Sequence, residues 1–169
     1  MENLIFLLTA SLVLYKSSKK PRKTFIADTG CSVVFSPDAV FDHTRSEDGD
    51  QLYFAEYMDN DITYGVLCAR IHSGLPLDEA QDVMTTYLNR LRKPFNALYN
   101  TGVDLCQTWS NTKDCIKMVD YWQDEDKLDW KVKGYTDGQA IAVLYVKNIN
   151  EVSVDKQDEF LDSFCIGKY

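Results

Sequence analysis

The chain is poor in the residues that short catalytic signatures are built from: it has two histidines, and its eight glycines and four prolines are scattered over 169 residues. No Gly-x-x-x-x-Gly-Lys is present to cradle a phosphate, and no Gly-x-Ser-x-Gly to raise a nucleophilic serine above a sheet. His43 and His72 have no second histidine or cysteine at ligand spacing, so neither reads as a zinc ligand. His72 follows Cys68 by four residues, which in a strand places both on one side but too far apart for proton transfer. The reading is therefore a protein that is not an enzyme, with no catalytic, cofactor-binding or metal-ligating residue assigned. Basic residues are also short: 18 Lys and Arg stand against 26 Asp and Glu, a formal charge of -8. That field repels phosphate backbones, so no nucleic acid is expected as partner.

What remains is enough for a core. The chain is 45% hydrophobic and 12% aromatic, at one domain's length. Its sole composition break is near the start, where residues 4 to 15 form an almost unbroken apolar run followed by Lys16, Lys19, Lys20, Arg22 and Lys23. The run suits a signal-peptide core but is shorter than the roughly 20 residues a spanning helix needs. Glu2 stands where an export signal has its positive charge, and the basic cluster follows the run instead of preceding it. Residues 1–24 are read as a targeting or anchor segment plus basic linker, with membrane association through residues 4–23, and residues 25–169 as one domain. This favours an extracytoplasmic or membrane-associated location, the alternative being cytoplasmic with a short surface-packed terminal helix.

Five cysteines leave at least one unpaired. Cys31, Cys68 and Cys165 sit in apolar contexts and read as small buried hydrophobes. Cys106 and Cys115 form a candidate disulfide. If residues 103–109 and 112–120 pair around Ser110 and Asn111, Cys106 faces Cys115, Leu105 faces Ile116, Asp104 faces Lys117 and Val103 faces Met118. Apolar pairs then share one face of the hairpin, and cysteines and charges the other.

The rest of the domain alternates strands with two helices. Residues 31–35 read as a strand and 38–50 as an acidic loop holding Asp42, His43, Glu47, Asp48 and Asp50. Residues 51–58 and 62–72 read as a hairpin around Asp59-Asn60-Asp61. Leu77, Ala80, Met84, Tyr87, Leu88, Leu91, Phe95 and Leu98 recur at helical spacing, with Pro94 ending or kinking the helix and any continuation reaching about Tyr99. Two more strands flank Asp137-Gly138, and a closing helix begins at a capping pattern on Ser153 and carries Phe160, Leu161 and Phe164 on one side.

This layout resembles the PsbP-like and DcrB-like superfamily, whose fold is shared by photosystem II extrinsic proteins and a Ran-binding nuclear import factor. The resemblance runs from about residue 25 to 169. It rests on Cys-Ser-Val-Val-Phe-Ser-Pro at 31–37, the aromatic hairpin, the helix from Leu77, the strands 130–135 and 140–146, and the ending Phe160-Leu161-Asp162-Ser163-Phe164. It implies an α/β/α sandwich, an α+β arrangement in which a mainly antiparallel sheet is flanked by a long middle helix and a C-terminal helix. It also implies roles in binding, assembly or protection more often than catalysis.

Tyr121 and Trp122, adjacent in a predicted strand, must point to opposite faces, so one is expected beside the acidic turn Asp124, Glu125 and Asp126 with its ring exposed. An exposed aromatic rimmed by acids suits a protein partner with a basic surface. These five residues form the candidate partner-binding site of a non-catalytic, acidic binding or assembly domain. The alternatives are a small-ligand or divalent-cation binder using the 38–50 loop, and an immunity-type protein neutralising a toxin.

Overall fold

The computed structural model describes residues 15–16, 19–45, 49–102, 104–106 and 115–167. Twelve strands and two α-helices occur among them: β1 Tyr15–Lys16, β2 Arg22–Phe25, β3 Cys31–Phe35, β4 Asp42–Arg45, β5 Gln51–Asp59, β6 Ile62–Arg70, α1 Leu77–Leu91, β7 Ala97–Asn100, β8 Asp104–Cys106, β9 Ile116–Asp124, β10 Asp129–Thr136, β11 Ala140–Lys147, α2 Val154–Leu161 and β12 Cys165–Ile166. No helix among the described residues is long and apolar enough to cross a membrane.

Nine strands form one sheet in the order β1-β5-β6-β11-β10-β9-β7, with β4 also on β5 and β8 also on β9. Every pairing is antiparallel except the short β1 on β5. Its central hairpin turns through Asn60 and Asp61 at φ 48° and 66°. Two successive left-handed residues are what a two-residue turn between right-twisted strands demands, and Asn and Asp tolerate them best among side-chain-bearing residues. The period of two then sorts the side chains. Leu67, Met118, Trp130 and Val143 face Met84, Leu88 and Leu91 of α1. Tyr57, Tyr64, Ala142 and Leu144 face the opposite layer.

That opposite layer holds more than a helix. A second sheet, β12-β3-β2, lies there beside α2, and Ile26, Val33, Phe35, Phe160, Leu161 and Phe164 complete one apolar core with the large sheet. The sandwich is thus α1, the nine-stranded sheet, then a mixed layer of α2 and the small sheet. Close approach of α1 is secured by Gly134, where a Cβ would lie 2.8 Å from the Met84 sulfur.

Several expectations are corrected. Residues 22–24 are not linker: with Phe25 they form β2, which pairs Arg22 with Phe35 and Phe25 with Ser32 on β3. Of the apolar run, only Tyr15 is described, in β1. The acidic loop contains β4, which lays His43 opposite Tyr53. α1 stops at Leu91, ahead of Pro94, and the segment expected to prolong it is the edge strand β7, leaving Leu98 64% exposed. Ser153 makes no side-chain cap bond; instead Gln157, buried, donates to the carbonyls of Ile149 and Val152.

The cysteine hairpin is also corrected, by two residues. β8 and β9 pair antiparallel, but Cys106 stands opposite Lys117, Leu105 opposite Met118 and Asp104 opposite Val119. A slip of two preserves which face each side chain occupies. The alternation that suggested the register therefore could not distinguish it from its neighbour. Cys115 carries a free thiol, half-buried, whose pKa burial pushes up to about 11. Cys31 and Cys68 are fully buried, as expected; Cys165 is exposed.

Candidate functional site

β9 shows the division most plainly. Ile116, Met118, Asp120, Trp122 and Asp124 are buried under α1, whereas Lys117, Val119, Tyr121 and Gln123 between them are partly or well exposed on the other face. α2 and the small sheet cover only part of that face. Beside α2 a shallow groove of about 300 Å³ remains, lined by Tyr99, Asn100, Thr101, Tyr121, Gln123, Asp129 and Ile149, with the edges of Trp122 and Trp130. Tyr99 is 67% exposed and Tyr121 40%.

The groove's walls are fixed by hydrogen bonds. Asp129 accepts from Gln123 Nε2 at 2.9 Å and from Asn150 Nδ2 at 2.8 Å. The Thr101 backbone N–H donates to the Tyr121 carbonyl at 3.1 Å. Lys131 lies 5.8 Å from the Tyr121 ring centre and donates to both oxygens of Asp158 on α2, at 2.9 and 3.0 Å. Glu125, at the β9 to β10 turn, is exposed and receives Asn96 Nδ2 at 2.7 Å; Asp126 is exposed beside it.

The five sequence-derived candidates divide. Tyr121 lines the groove, and Glu125 and Asp126 are exposed at the turn that follows β9. Trp122 and Asp124 are not: they are 2% and 3% exposed. Asp124 organises the turn from inside, accepting the backbone N–H groups of Asp126 and Leu128 on Oδ1 and the Trp130 indole and the Lys147 ammonium on Oδ2, the last at 2.8 Å. Burial opposes its charge, but Lys147, the Leu128 N–H and the Trp130 indole together hold its pKa below the usual carboxylate range. Asp120, also buried, accepts the Trp122 indole N–H at 2.6 Å.

Three contributors escaped the sequence reading. Tyr99 was placed at the helix's tail, and its signal is the short Ala-Leu-Tyr-Asn stretch after Pro94, too brief to show a period. Lys131 and Lys133 alternate with apolar residues along β10, opposite Asp158 and Asp162 one helical turn apart. Lys133, buried, reaches Asp158 at 2.6 Å and Asp162 at 3.0 Å, and Lys117 and the Tyr135 hydroxyl also donate to Asp162. Desolvation works against both aspartates, but the lysines outweigh it and lower their pKa values.

For the 38–50 loop, Asp50 is buried and accepts the His72 backbone N–H at 2.8 Å, while Glu47 and Asp48 lie outside the described residues. Among the described residues no three His, Cys, Asp or Glu side chains are grouped to hold a metal ion.

No family model matches the chain, and no curated protein matches it. Among solved structures, the solution structure of cyanobacterial PsbP (CyanoP) from Synechocystis sp. PCC 6803 superposes with a TM-score of 0.54 at 10% sequence identity, covering 87% of this chain and 92% of that one. With a large antiparallel sheet between α1 and a layer holding α2, matched over nearly the full length of both chains, this protein has a PsbP-like fold.

Proposed function

We propose that the protein is a non-catalytic binding or assembly domain, exported or membrane-tethered through its N-terminal segment, that takes a basic protein surface on the groove beside α2. The observation that supports this most directly is that two exposed rings, Tyr99 and Tyr121, line one groove with the half-exposed carboxylate of Asp129, the exposed Glu125 and Asp126 following at the end of β9. A Lys or Arg side chain can lie over a tyrosine face while its charge meets a carboxylate at the rim. The fold does not need these rings for its core, since Trp122 and Trp130 fill that role on the other face.

The same chemistry serves an immunity-type role, with a basic toxin as the partner. Cation or small-ligand binding by the 38–50 loop is less favoured, because Asp42 and His43 are strand residues and Asp50 is already engaged by backbone.

The test is a titration of isotopically labelled protein with Lys- and Arg-bearing peptides, with acidic peptides of equal length as controls. Amide shifts confined to Tyr99, Tyr121, Gln123 and Asp129 for the basic set alone support the reading. Shifts elsewhere, or equal shifts with both sets, remove it.

A further inference from the structure

The charge of the chain is inverted at one edge of the small sheet. Lys19, Lys20, Arg22 and Lys23 precede Phe25 with no acidic residue among them, in a chain whose formal charge is -8. β2 ends the order β12-β3-β2, so its outer edge has no strand partner among the described residues. Cross-strand neighbours share a face. Arg22 and Thr24 stand opposite Phe35 and Val33, whose side chains enter the core, whereas Lys23 and Phe25 stand opposite Val34 and Ser32. Lys23 and Phe25 therefore project from the outer face of the small sheet, with the Lys23 ammonium 5.5 Å from the Phe25 ring centre. Phe25 is 69% exposed, more than any other large apolar side chain described, and Lys20, Arg22 and Lys23 are exposed beside it. Among the described residues, Asp38 is the one carboxylate within ion-pair distance of this stretch, and it engages Lys19.

We propose that this edge is a peripheral contact for an anionic lipid bilayer, with Lys20, Arg22 and Lys23 against the headgroup phosphates and the Phe25 ring in the layer beneath them. This rests on the membrane-tethered part of the proposed function and is independent of the groove. A ring kept out of every core leaves water only on docking, and the flexible Lys23 stem lets its ammonium stay at the phosphates while the ring goes deeper. The acidic remainder of the domain is repelled by the same surface, so the field turns the basic edge towards lipid. The sequence supplies the reason for a second attachment. Residues 4–15 are too few for a spanning helix, and a single short apolar anchor holds a bilayer weakly unless a second signal, such as a basic patch, is added. That run leads into β1 at Tyr15, and the patch starts four residues later at Lys19, at most about 14 Å of extended chain away, so both reach one surface. An acidic protein would match the charges, but the apolar run beside them points to lipid.

The experiment measures co-sedimentation of the full chain with vesicles of phosphatidylcholine alone and of phosphatidylcholine mixed with phosphatidylglycerol, each at low and high salt. The expected result is tighter binding to the anionic vesicles at low salt, by roughly fivefold per engaged cation, falling to the phosphatidylcholine level at high salt. Lys20→Gln, Arg22→Gln and Lys23→Gln together should abolish that preference. Phe25→Ser should weaken binding to the anionic vesicles without removing the salt dependence. Equal binding of the parent to both vesicle types shows that the apolar run alone attaches the chain, which overturns the proposal and leaves the tether standing. Binding to neither type removes both. A preference that survives the triple substitution overturns the patch as its source. An oligoglutamate peptide that moves the Thr24 and Phe25 amides, while anionic vesicles gain nothing over neutral ones, assigns the edge to an acidic protein instead. The comparison of vesicle types uses the native sequence, so it decides the matter even where a variant fails to fold.

Discussion

The face of the large sheet under α1 and the face under α2 handle buried charge in opposite ways. Under α1 the carboxylates act separately, each gathering its own donors: Asp120 and Asp124 each bind an indole N–H, Asp124 also takes Lys147 and two backbone N–H groups, and Glu56 accepts the Tyr145 hydroxyl. Under α2 the charges form a lattice, in which Lys117, Lys131 and Lys133 share Asp158 and Asp162. The first arrangement is dry and closed, and losing one partner leaves others with no substitute. In the second the lysines are largely buried but the aspartates are partly exposed, and a neighbouring lysine remains when one is lost. The face under α1 is buried throughout, whereas the face under α2 leaves Tyr121 40% exposed at its edge.

The sharpest way to break this comparison is at Asp124. Asp124→Ala leaves the Trp130 indole, the Lys147 ammonium and two backbone N–H groups without their acceptor. Removing one partner of a buried ion pair typically costs about 3–5 kcal/mol, against a total stability of roughly 5–15 kcal/mol. Urea melts should show a large loss of midpoint, and Asp124→Asn, which keeps the shape but not the charge, an intermediate one. On the α2 face, Lys133→Ala should be milder, about 1.5–3 kcal/mol, the range for hydrogen bonds to charged groups. Asp158 still has Lys131 and Asp162 still has Lys117. A loss at Lys133 equal to that at Asp124 would show that the two faces are equally closed.

These residues also mark what could be read in the sequence. The hairpin 51–70, the start of the middle helix and the strands 129–147 follow from period and turn residues, which are local; Phe160 and Leu161 lie on α2 as read, but Phe164, expected on the same helix, reaches the core from beyond its end. The small sheet does not, because β2 and β12 are two to four residues long and exist only by pairing with β3. The candidate site was half legible. Opposite facing of Tyr121 and Trp122 is dictated by strand geometry, but which ring is buried depends on where α1 lies. Asp124 looked like a hydrated turn residue because its four donors come from Asp126, Leu128, Trp130 and Lys147, and only the folded sheet brings the last of these to it.

The pH dependence divides the paired carboxylates by sign, and the division cuts across the two faces. Asp124, Asp158 and Asp162 have folded pKa values below the unfolded aspartate value of about 3.9. Their contribution is complete above that value and is lost as pH falls through their folded pKa values. Glu56 runs the other way. Burial raises its pKa more than the Tyr145 hydrogen bond lowers it, so its ionisation favours the unfolded state once pH rises past the unfolded value of about 4.3. Glu56→Gln keeps an acceptor for Tyr145 and removes the charge. It should raise stability at pH 7 relative to the parent and lose that advantage as pH falls toward 4. Thermal melts across pH 3–8 check both trends; an advantage for Gln that persists at pH 4 would place its origin in packing and not in titration.

The smallest effect on stability is expected where the proposed function lies. The Tyr121 ring is partly exposed and touches Lys131 from the solvent side of the sheet, so Tyr121→Ala removes little buried area. Glu125 and Asp126 are exposed at a turn whose geometry is held by Asp124. Substitutions at such positions usually stay within about 0.5 kcal/mol. Tyr121→Ala and the double reversal Glu125→Lys with Asp126→Lys should therefore melt with the parent protein. Their consequence should appear in binding to basic peptides. Tyr121→Ala should weaken binding at every ionic strength, because a ring supplies contact area that salt does not screen. The charge reversal should weaken it most at low salt and converge on the parent at high salt, because exposed charges act within about 8–10 Å at 0.1–0.15 M. Calorimetric titrations at two salt concentrations separate these signatures. If both variants bind as the parent does, the groove is not the docking site; if instead both melt several degrees lower, Tyr121 and the turn belong to the closed part of the molecule, and the contrast between its two faces fails at the place it was meant to explain.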